Sequence, residues 1–484
     1  MNRRVDGRRG MRAILAIWLA ILGLVAAPAA EAKAGAKKPA RPNIVFILAD
    51  DLAWNQVGFH GSDFYETPNI DTIARDGVHF THAYSAAPVC SPTRSSLMTG
   101  KNPARTHITD YIPGSPYPYA ILKTPYEVPS LPVGEYTLAE LLKSHGYVTG
   151  HFGKWHLGQD YNYAPNRPGD PASQGFDEVL TNVKPEEDAD PTKDAHHTLD
   201  ITRRTLDFID RHKDETFFAY VAYHTVHRPI MERPALIAKY AAKPHSNEPV
   251  NNPIMGAMIE TMDKGVGEIL ARLRQYGLDQ NTIVIFYSDN GGLEQLQSQY
   301  PFRGGKSMVW EGGLRVPLAV RWTGTVAPGS SNDDLVSSDD FFPTFAELVG
   351  VTRLPDYMDG FSILSSLKGQ RPSARNTLYF HYPHYHHLGF KPGGAIRQGK
   401  YKLIEWYEGS IGGFGRPYTL YNVEDDLDES DDLSGEMPEL VAEMAAKLKA
   451  WRKKVGAGEM TPNPAFDVKR AHWRYEDRAG DDSR

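Results

Sequence analysis

The sequence predicts an α/β fold: a large mixed, mostly parallel sheet flanked by helices, followed by a smaller C-terminal α+β domain with an antiparallel sheet. Three observations carry this expectation. The runs NIVFILA (43–49), TFFAYVAY (216–223) and TIVIFYS (282–288) are continuously apolar and rich in β-branched and aromatic residues. Such runs suit strands buried on both faces, as in parallel sheets covered by helices. Between them lie helical patterns, TLAELLKSHG (137–146) and NPIMGAMIETMDKGVGEILARLRQYG (252–277). Strands alternating with helices read as α/β. Beyond DGFSILSSLKGQRPSARN, near 360–375, the pattern changes. TLYFHYPHYHH, GAIRQGKYKLIEW and YTLYNV read as short antiparallel strands, before a helix over MPELVAEMAAKLKAWRKKV (437–455).

Taken in order, the chain opens with basic MNRRVDGRRGMR, apolar AILAIWLAILGLVAA and small-residue PAAEAKA. That succession predicts a signal peptide over 1–32, followed by a Lys/Ala/Pro linker over 33–42. The apolar run is shorter than the ~20 residues a membrane span needs. The expectation is an exported protein, periplasmic or extracellular, with no stable membrane insertion after cleavage. A catalytic domain is expected over 43–370, a C-terminal α+β subdomain over 371–457 and a polar tail over 458–484. Within the first domain, Thr137 and Glu140 form a capping box that starts a helix, and Gly146 stops it.

The formal charge of the 484 residues is −7. Residues 1–32 hold five arginines and two acids, so their removal takes away +3 and leaves −10. A basic nucleic-acid-binding surface is not indicated, and any anionic ligand must be held by a local cluster of cations. One cysteine in the whole chain excludes an intramolecular disulfide. No Asn-x-Ser/Thr sequon occurs, which favours a bacterial envelope over a eukaryotic secretory route.

The chemistry gathers at the ends of the expected strands. NIVFILADD delivers Asp50 and Asp51, and TIVIFYSDN delivers Asp289 and Asn290. In open α/β sheets the carboxyl ends of strands carry the ligand site. Three carboxylates and an amide oxygen suit a hard cation, Ca²⁺ or Mg²⁺, better than Zn²⁺. GYVTGHFGKWHLG (146–158) places Lys154 and His156 on a glycine-bracketed backbone that can approach a ligand closely. AYHTVHRP (222–229) brings His224 and His227 to the end of a strand, and Lys306 lies between glycine pairs in FRGGKSMVWEGGLRVP (302–317).

The lone cysteine, Cys90, stands in APVCSPTRSSLMTG (87–100). C-S-P-T-R matches the sulfatase signature C-x-P-x-R, and GYVTGHFGKWHLG matches that family's second signature. SDNGG, RGGKSMVWEGGLRVP, DGFSILSSLKG, GAIRQGKYKLI and LYNVEDDLDESDDL follow in family order. From about residue 42 to 455 the chain resembles the sulfatases of the alkaline phosphatase superfamily. The resemblance implies an alkaline-phosphatase-like fold and a Cys90 oxidised during export, by a formylglycine-generating maturation enzyme, to formylglycine. Its hydrate is the nucleophile. It further implies one divalent metal, usually calcium with magnesium as the alternative, on Asp50, Asp51, Asp289 and Asn290 and touching an oxygen of residue 90.

The resemblance assigns Arg94 to holding the residue-90 side chain, and Lys154 and Lys306 to sulfate oxygens. His227, with Lys306, protonates the leaving alcohol, and His156 takes a proton from the hydrate. His224 either contacts substrate or supports His227. In HYPHYHH (381–387), His384 and His386 are expected to contact substrate, a sulfated carbohydrate by preference over a small ester. The alternatives are a phosphonate monoester or phosphodiester hydrolase of the same superfamily, and a non-catalytic binder of sulfated glycans.

Overall fold

A computed structural model describes residues 41–160, 163–164, 167–373, 375–389, 391–472 and 474. The expected signal peptide, most of the linker and the end of the tail lie outside the described residues. The three apolar runs become neighbouring central strands. Asn43–Ala49 lies between Thr282–Ser288 and Phe217–Ala222 and is parallel to both. The full sheet has eight strands, in the order Ser330–Asn332, Val78–Phe80, Leu318–Trp322, Thr282–Ser288, Asn43–Ala49, Phe217–Ala222, Val148–Gly153 and Glu178–Thr181. Leu318–Trp322 runs antiparallel to both neighbours; the other pairs are parallel.

Alternate residues of the central strand enter two different cores. Ile44, Phe46 and Leu48 pack on one side of the sheet, and Val45, Ile47 and Ala49 on the other. Because both faces are apolar, alternation does not select the register. The strand ends do. Ala49 pairs with Ser288, Leu48 with Ala222, and Gly153 with Ala222. The polar residues that follow each strand therefore emerge together at one edge of the sheet.

The helices lie where their patterns predicted, and the first begins at its expected cap. Thr137 and Glu140 form the reciprocal capping box ahead of Leu138–Ser144, and Asn252 caps Pro253–Gln275 through the Ile254 and Met255 amides. The segment 148–153 is a strand, although its sequence reads as a glycine-rich connector. Gly150, His151 and Gly153 interrupt any apolar pattern, yet parallel pairing with Phe217–Ala222 satisfies its backbone. Gly153 is required by geometry. It has φ +110°, and an added Cβ would lie 2.0 Å from the Ala222 carbonyl oxygen.

In the C-terminal part, Thr377–Tyr382, Gly393–Gln398, Tyr401–Trp406 and Tyr418–Asn422 form a four-stranded antiparallel sheet in sequential order. One face packs on helix Pro438–Val455 through Leu403, Leu420, Met444 and Leu448. The other meets Val309, Trp310 and Leu314 of the segment that carries Lys306. Lys402, fully buried, ties the two layers, with its ammonium 3.0 Å from Glu311 and 3.0 Å from Glu429. The expected tail folds back as well: Thr461–Pro462 pairs with Leu122–Lys123.

Two stability measurements test this architecture. Gly153→Ala should lower the free energy of unfolding by more than Gly146→Ala. At Gly146 φ is also positive, +86°, but no atom lies within 4 Å of the added Cβ. There only the left-handed backbone penalty of about 1–2 kcal/mol applies. Equal losses in urea titrations would contradict the close approach. Lys402→Ala, which strands two buried carboxylates, should cost about 3–5 kcal/mol; an unchanged denaturation midpoint would show that the triad does not join the layers.

Candidate active site

Helix Cys90–Thr99 begins at the carboxyl edge of the sheet, and all ten of its residues are buried. Its hydroxyls bond locally: Ser96 Oγ donates to the Thr93 carbonyl and Thr99 Oγ1 to the Ser95 carbonyl, both at 2.8 Å. This lets a polar helix enter the interior. Cys90 sits at its first turn, with Sγ 3.4 Å from Asp50 Oδ1 and 3.9 Å from Asp51 Oδ1. Burial, reinforced by the Asp289 carboxylate, pushes its thiol up.

Each buried carboxylate has a cation. Lys154 Nζ donates to both oxygens of Asp50, at 2.9 and 2.7 Å. Lys306 Nζ donates to Asp51 Oδ2 at 2.8 Å. Arg94 donates to Asp289 Oδ2 through Nε at 2.8 Å and to the Lys154 carbonyl at 2.7 Å. Burial alone would raise Asp51, but the Lys306 and Lys154 ammonium groups hold it well below the usual carboxylate range. Burial opposes the charge of both lysines, yet Asp50 and Asp51 keep them protonated above the usual lysine value. Asp289 is raised by burial and by the neighbouring Asp50.

Loop hydrogen bonds fix these groups. The Asp51 amide donates to Asp289 Oδ1 at 3.2 Å. Lys306 N donates to the Gly292 carbonyl and Ser307 N to the Pro88 carbonyl, both at 2.7 Å. Lys306 is thus clamped between the Asp-Asn loop and the approach to Cys90. Asn290 Nδ2 donates to Asp51 Oδ1 and to the Gly291 carbonyl, both at 2.8 Å. Its Oδ1 is buried with no hydrogen-bond partner among the described residues. A free amide oxygen beside three carboxylates fits a hard divalent cation. Asp50, Asp51, Cys90 and His227 also offer atoms that lie within 4.8 Å of one another.

The three histidines are neutral. Burial first, then Lys154 for His156 and His224 and Lys306 for His227, keep all three well below the usual imidazole value. Their tautomers follow from their carbonyl partners. His227 Nδ1 faces the Arg228 carbonyl at 2.6 Å and carries the proton, leaving Nε2, 3.8 Å from Asp51 Oδ2, as the acceptor. His156 Nε2 faces the Ile112 carbonyl at 2.8 Å, leaving Nδ1 as the acceptor. Ser91 supports that loop, donating to the His156 carbonyl and accepting from the Ile112 amide.

A cavity of about 340 Å³ opens over this cluster, with Asp51, Cys90, His156, His227 and Lys306 in its lining. His386 joins them, edge-on to Tyr111 at 5.5 Å between ring centroids. Two residues weighed as substrate contacts, His384 and His224, sit away from the cavity lining. His384 is buried behind the wall, with Nε2 2.9 Å from Thr109 Oγ1 and 3.4 Å from Glu127. His224 is buried with Nε2 bonded to Asn182. Neither lines the cavity. Arg94 also differs in partner: its bonds go to Asp289 and the Lys154 carbonyl rather than to the residue-90 side chain. Tyr111 and Lys184 line the cavity without any sequence signal, whereas His387 belongs to the segment HYPHYHH and Arg228 could have been noticed beside His227.

Known proteins match this chain and its fold. The family model described as Sulfatase matches residues 42–351, and one described as N-sulphoglucosamine sulphohydrolase, C-terminal, matches 304–454. A sulfatase of Formosa agariphila is 31% identical, covering 90% of this chain and 93% of its own. Human N-acetylgalactosamine-6-sulfatase is 33% identical, covering 72% of this chain and 69% of its own. The crystal structure of Ps i-CgsB in complex with k-i-k-neocarrahexaose superposes with a TM-score of 0.72 at 25% identity, covering 90% and 97% of the two chains. The chain belongs to the sulfatase family of sulfuric ester hydrolases.

Proposed function

We propose that this protein is an exported, formylglycine- and calcium-dependent sulfatase that removes sulfate from a carbohydrate. The observation that carries the reading is the position of Cys90. It is the sole cysteine, it sits in C-x-P-x-R, and it shares one cavity with Lys306, His156 and His227. Oxidised to formylglycine and hydrated, residue 90 would supply an oxygen nucleophile. Asp50, Asp51, Asp289 and Asn290 Oδ1 would hold calcium, whose Lewis acidity lowers the pKa of a bound hydroxyl and offsets developing charge. The N-terminal leader pattern supports export and maturation on that route.

The chain's own residues supply the rest. Lys306, protonated and at the cavity wall, binds a sulfate oxygen and neutralises charge there. Lys154, expected on a sulfate oxygen, is bonded instead to both oxygens of Asp50 and does not line the cavity, and with Arg94 on Asp289 it holds those carboxylates in place. His156, with a proton acceptor at Nδ1, suits removal of a proton from the residue-90 side. His227 in the empty cavity accepts a proton at Nε2. An anionic sulfate beside it opposes the Lys306 field, so substrate binding raises its proton affinity and readies it to protonate the leaving oxygen. The carbohydrate preference is supported by relatives named N-acetylgalactosamine-6-sulfatase, by the neocarrahexaose complex of a neighbour, and by the Tyr111, His386 and His387 wall, which suits a sugar face.

Turnover of a sulfated saccharide panel, with matched phosphate esters alongside, tests the reading. Cys90→Ala should fold and release no sulfate, while the wild-type Cys90 peptide should carry the aldehyde mass. Wild-type rates in the alanine variant would remove the mechanism. Asn290→Leu, which deletes one oxygen at constant charge, should weaken calcium binding by about tenfold or more by calorimetry; unchanged affinity would refute the ligand set. General acid catalysis contributes about 10²–10⁴-fold and matters most for a poor leaving group. His227→Ala should therefore slow a sugar sulfate far more than nitrophenyl sulfate, and equal losses would remove His227 from that role.

A further inference from the structure

The cavity rim holds two cations that the chemistry above leaves unused. Lys184 follows the edge strand Glu178–Thr181, and Arg228 follows His227 beyond Phe217–Ala222. Both are exposed, and both line the cavity that contains Cys90 and Lys306. The deep cations are each taken by a carboxylate: Arg94 by Asp289, Lys154 by Asp50 and Lys306 by Asp51. Lys184 and Arg228 have no ion-pair partner within 4.0 Å among the described residues, even though Glu187 lines the same cavity. Glu186 and Asp188 are exposed but do not line it. The rim therefore carries two unneutralised cations against one carboxylate, in a chain whose formal charge is −7.

We propose that Lys184 and Arg228 form a second anion subsite, which rests on the reading of the substrate as a sulfated saccharide. The scissile sulfate goes to the Cys90 end of the cavity, and a second anionic group of the same saccharide, a sulfate or a carboxylate, goes to the rim. Arg228 offers a planar fork that accepts either group bidentately, and Lys184 adds a mobile point charge. The net negative charge of the chain opposes such a substrate at long range, so its selection falls to these close contacts. The subsite distinguishes a doubly anionic saccharide from a singly sulfated one.

The test compares kcat/KM for three disaccharides that share the same scissile sulfated sugar: one with no other charge, one with a second sulfate and one with a uronate. Wild-type enzyme should prefer at least one doubly anionic substrate over the neutral-neighbour substrate by about tenfold or more. The substrate preferred names the anion. In Lys184→Gln/Arg228→Gln, confirmed as folded by its melting curve, that ratio should fall to about twofold or less. Lys184→Arg/Arg228→Lys should keep most of it, which a purely structural role would not predict. Equal kcat/KM for all three in the wild type, or an undiminished ratio in the glutamine variant, overturns the subsite while the saccharide reading stands. Hydrolysis of nitrophenyl sulfate with none of the three disaccharides overturns both.

Discussion

The structure is organised around buried charge at the carboxyl edge of its large sheet. Asp50, Asp51 and Asp289 are fully buried, and Lys154, Lys306 and Arg94 accompany them one for one. An isolated ion in such a place costs several kcal/mol, and only a hydrogen-bonded partner offsets it. The six charges cancel, so the cluster is neutral by itself. A divalent cation held by the three carboxylates and Asn290 would turn it into a centre of charge +2. That is the polarity an anionic ester and a developing oxygen nucleophile require. The matched pairs are what let a polyvalent site form inside an apolar sheet without collapsing its stability.

The rest of the fold serves to keep those pairs in register. Parallel pairing aligns Ala49 with Ser288 and Gly153 with Ala222, which delivers a carboxylate or a lysine from three different strand ends. The segment 302–316 has no regular strand to support Lys306. It is held instead by backbone bonds to Gly292 and Pro88 and by the antiparallel sheet packed on Val309, Trp310 and Leu314. This gives the C-terminal sheet a direct part in the site: through Lys402 and Glu311 it braces the loop whose lysine meets Asp51.

What the sequence made legible was whatever obeys a local rule. Continuous apolar runs gave the three central strands to within a residue at each end, and the polar pairs that follow them, Asp50-Asp51 and Asp289-Asn290, marked the site. C-x-P-x-R singled out Cys90. Long-range pairing was less visible. Val148–Gly153 carries too much glycine to read as a strand, and only its neighbour Phe217–Ala222 makes it one. Arg94, one turn from Cys90 in sequence, is drawn to Asp289 by a charge no local pattern shows. In HYPHYHH the four histidines look alike, but after the strand ends at Tyr382 the chain turns His384 toward Thr109 and Glu127 and leaves His386 on the cavity wall. Lys184 comes from a loop without pattern, so its place at the rim emerges only in three dimensions.

The charge balance makes the most direct claim, and one binding measurement tests it. Inorganic sulfate should be titrated calorimetrically into the calcium-loaded protein and into the same protein after chelation, at fixed ionic strength. A neutral cluster made positive by calcium predicts sulfate binding at least about tenfold tighter in the loaded protein, since charge-assisted contacts in a partly buried site differ by that order. Equal sulfate affinity in the loaded and chelated forms would contradict the account, because the lysines alone would then suffice to hold the anion.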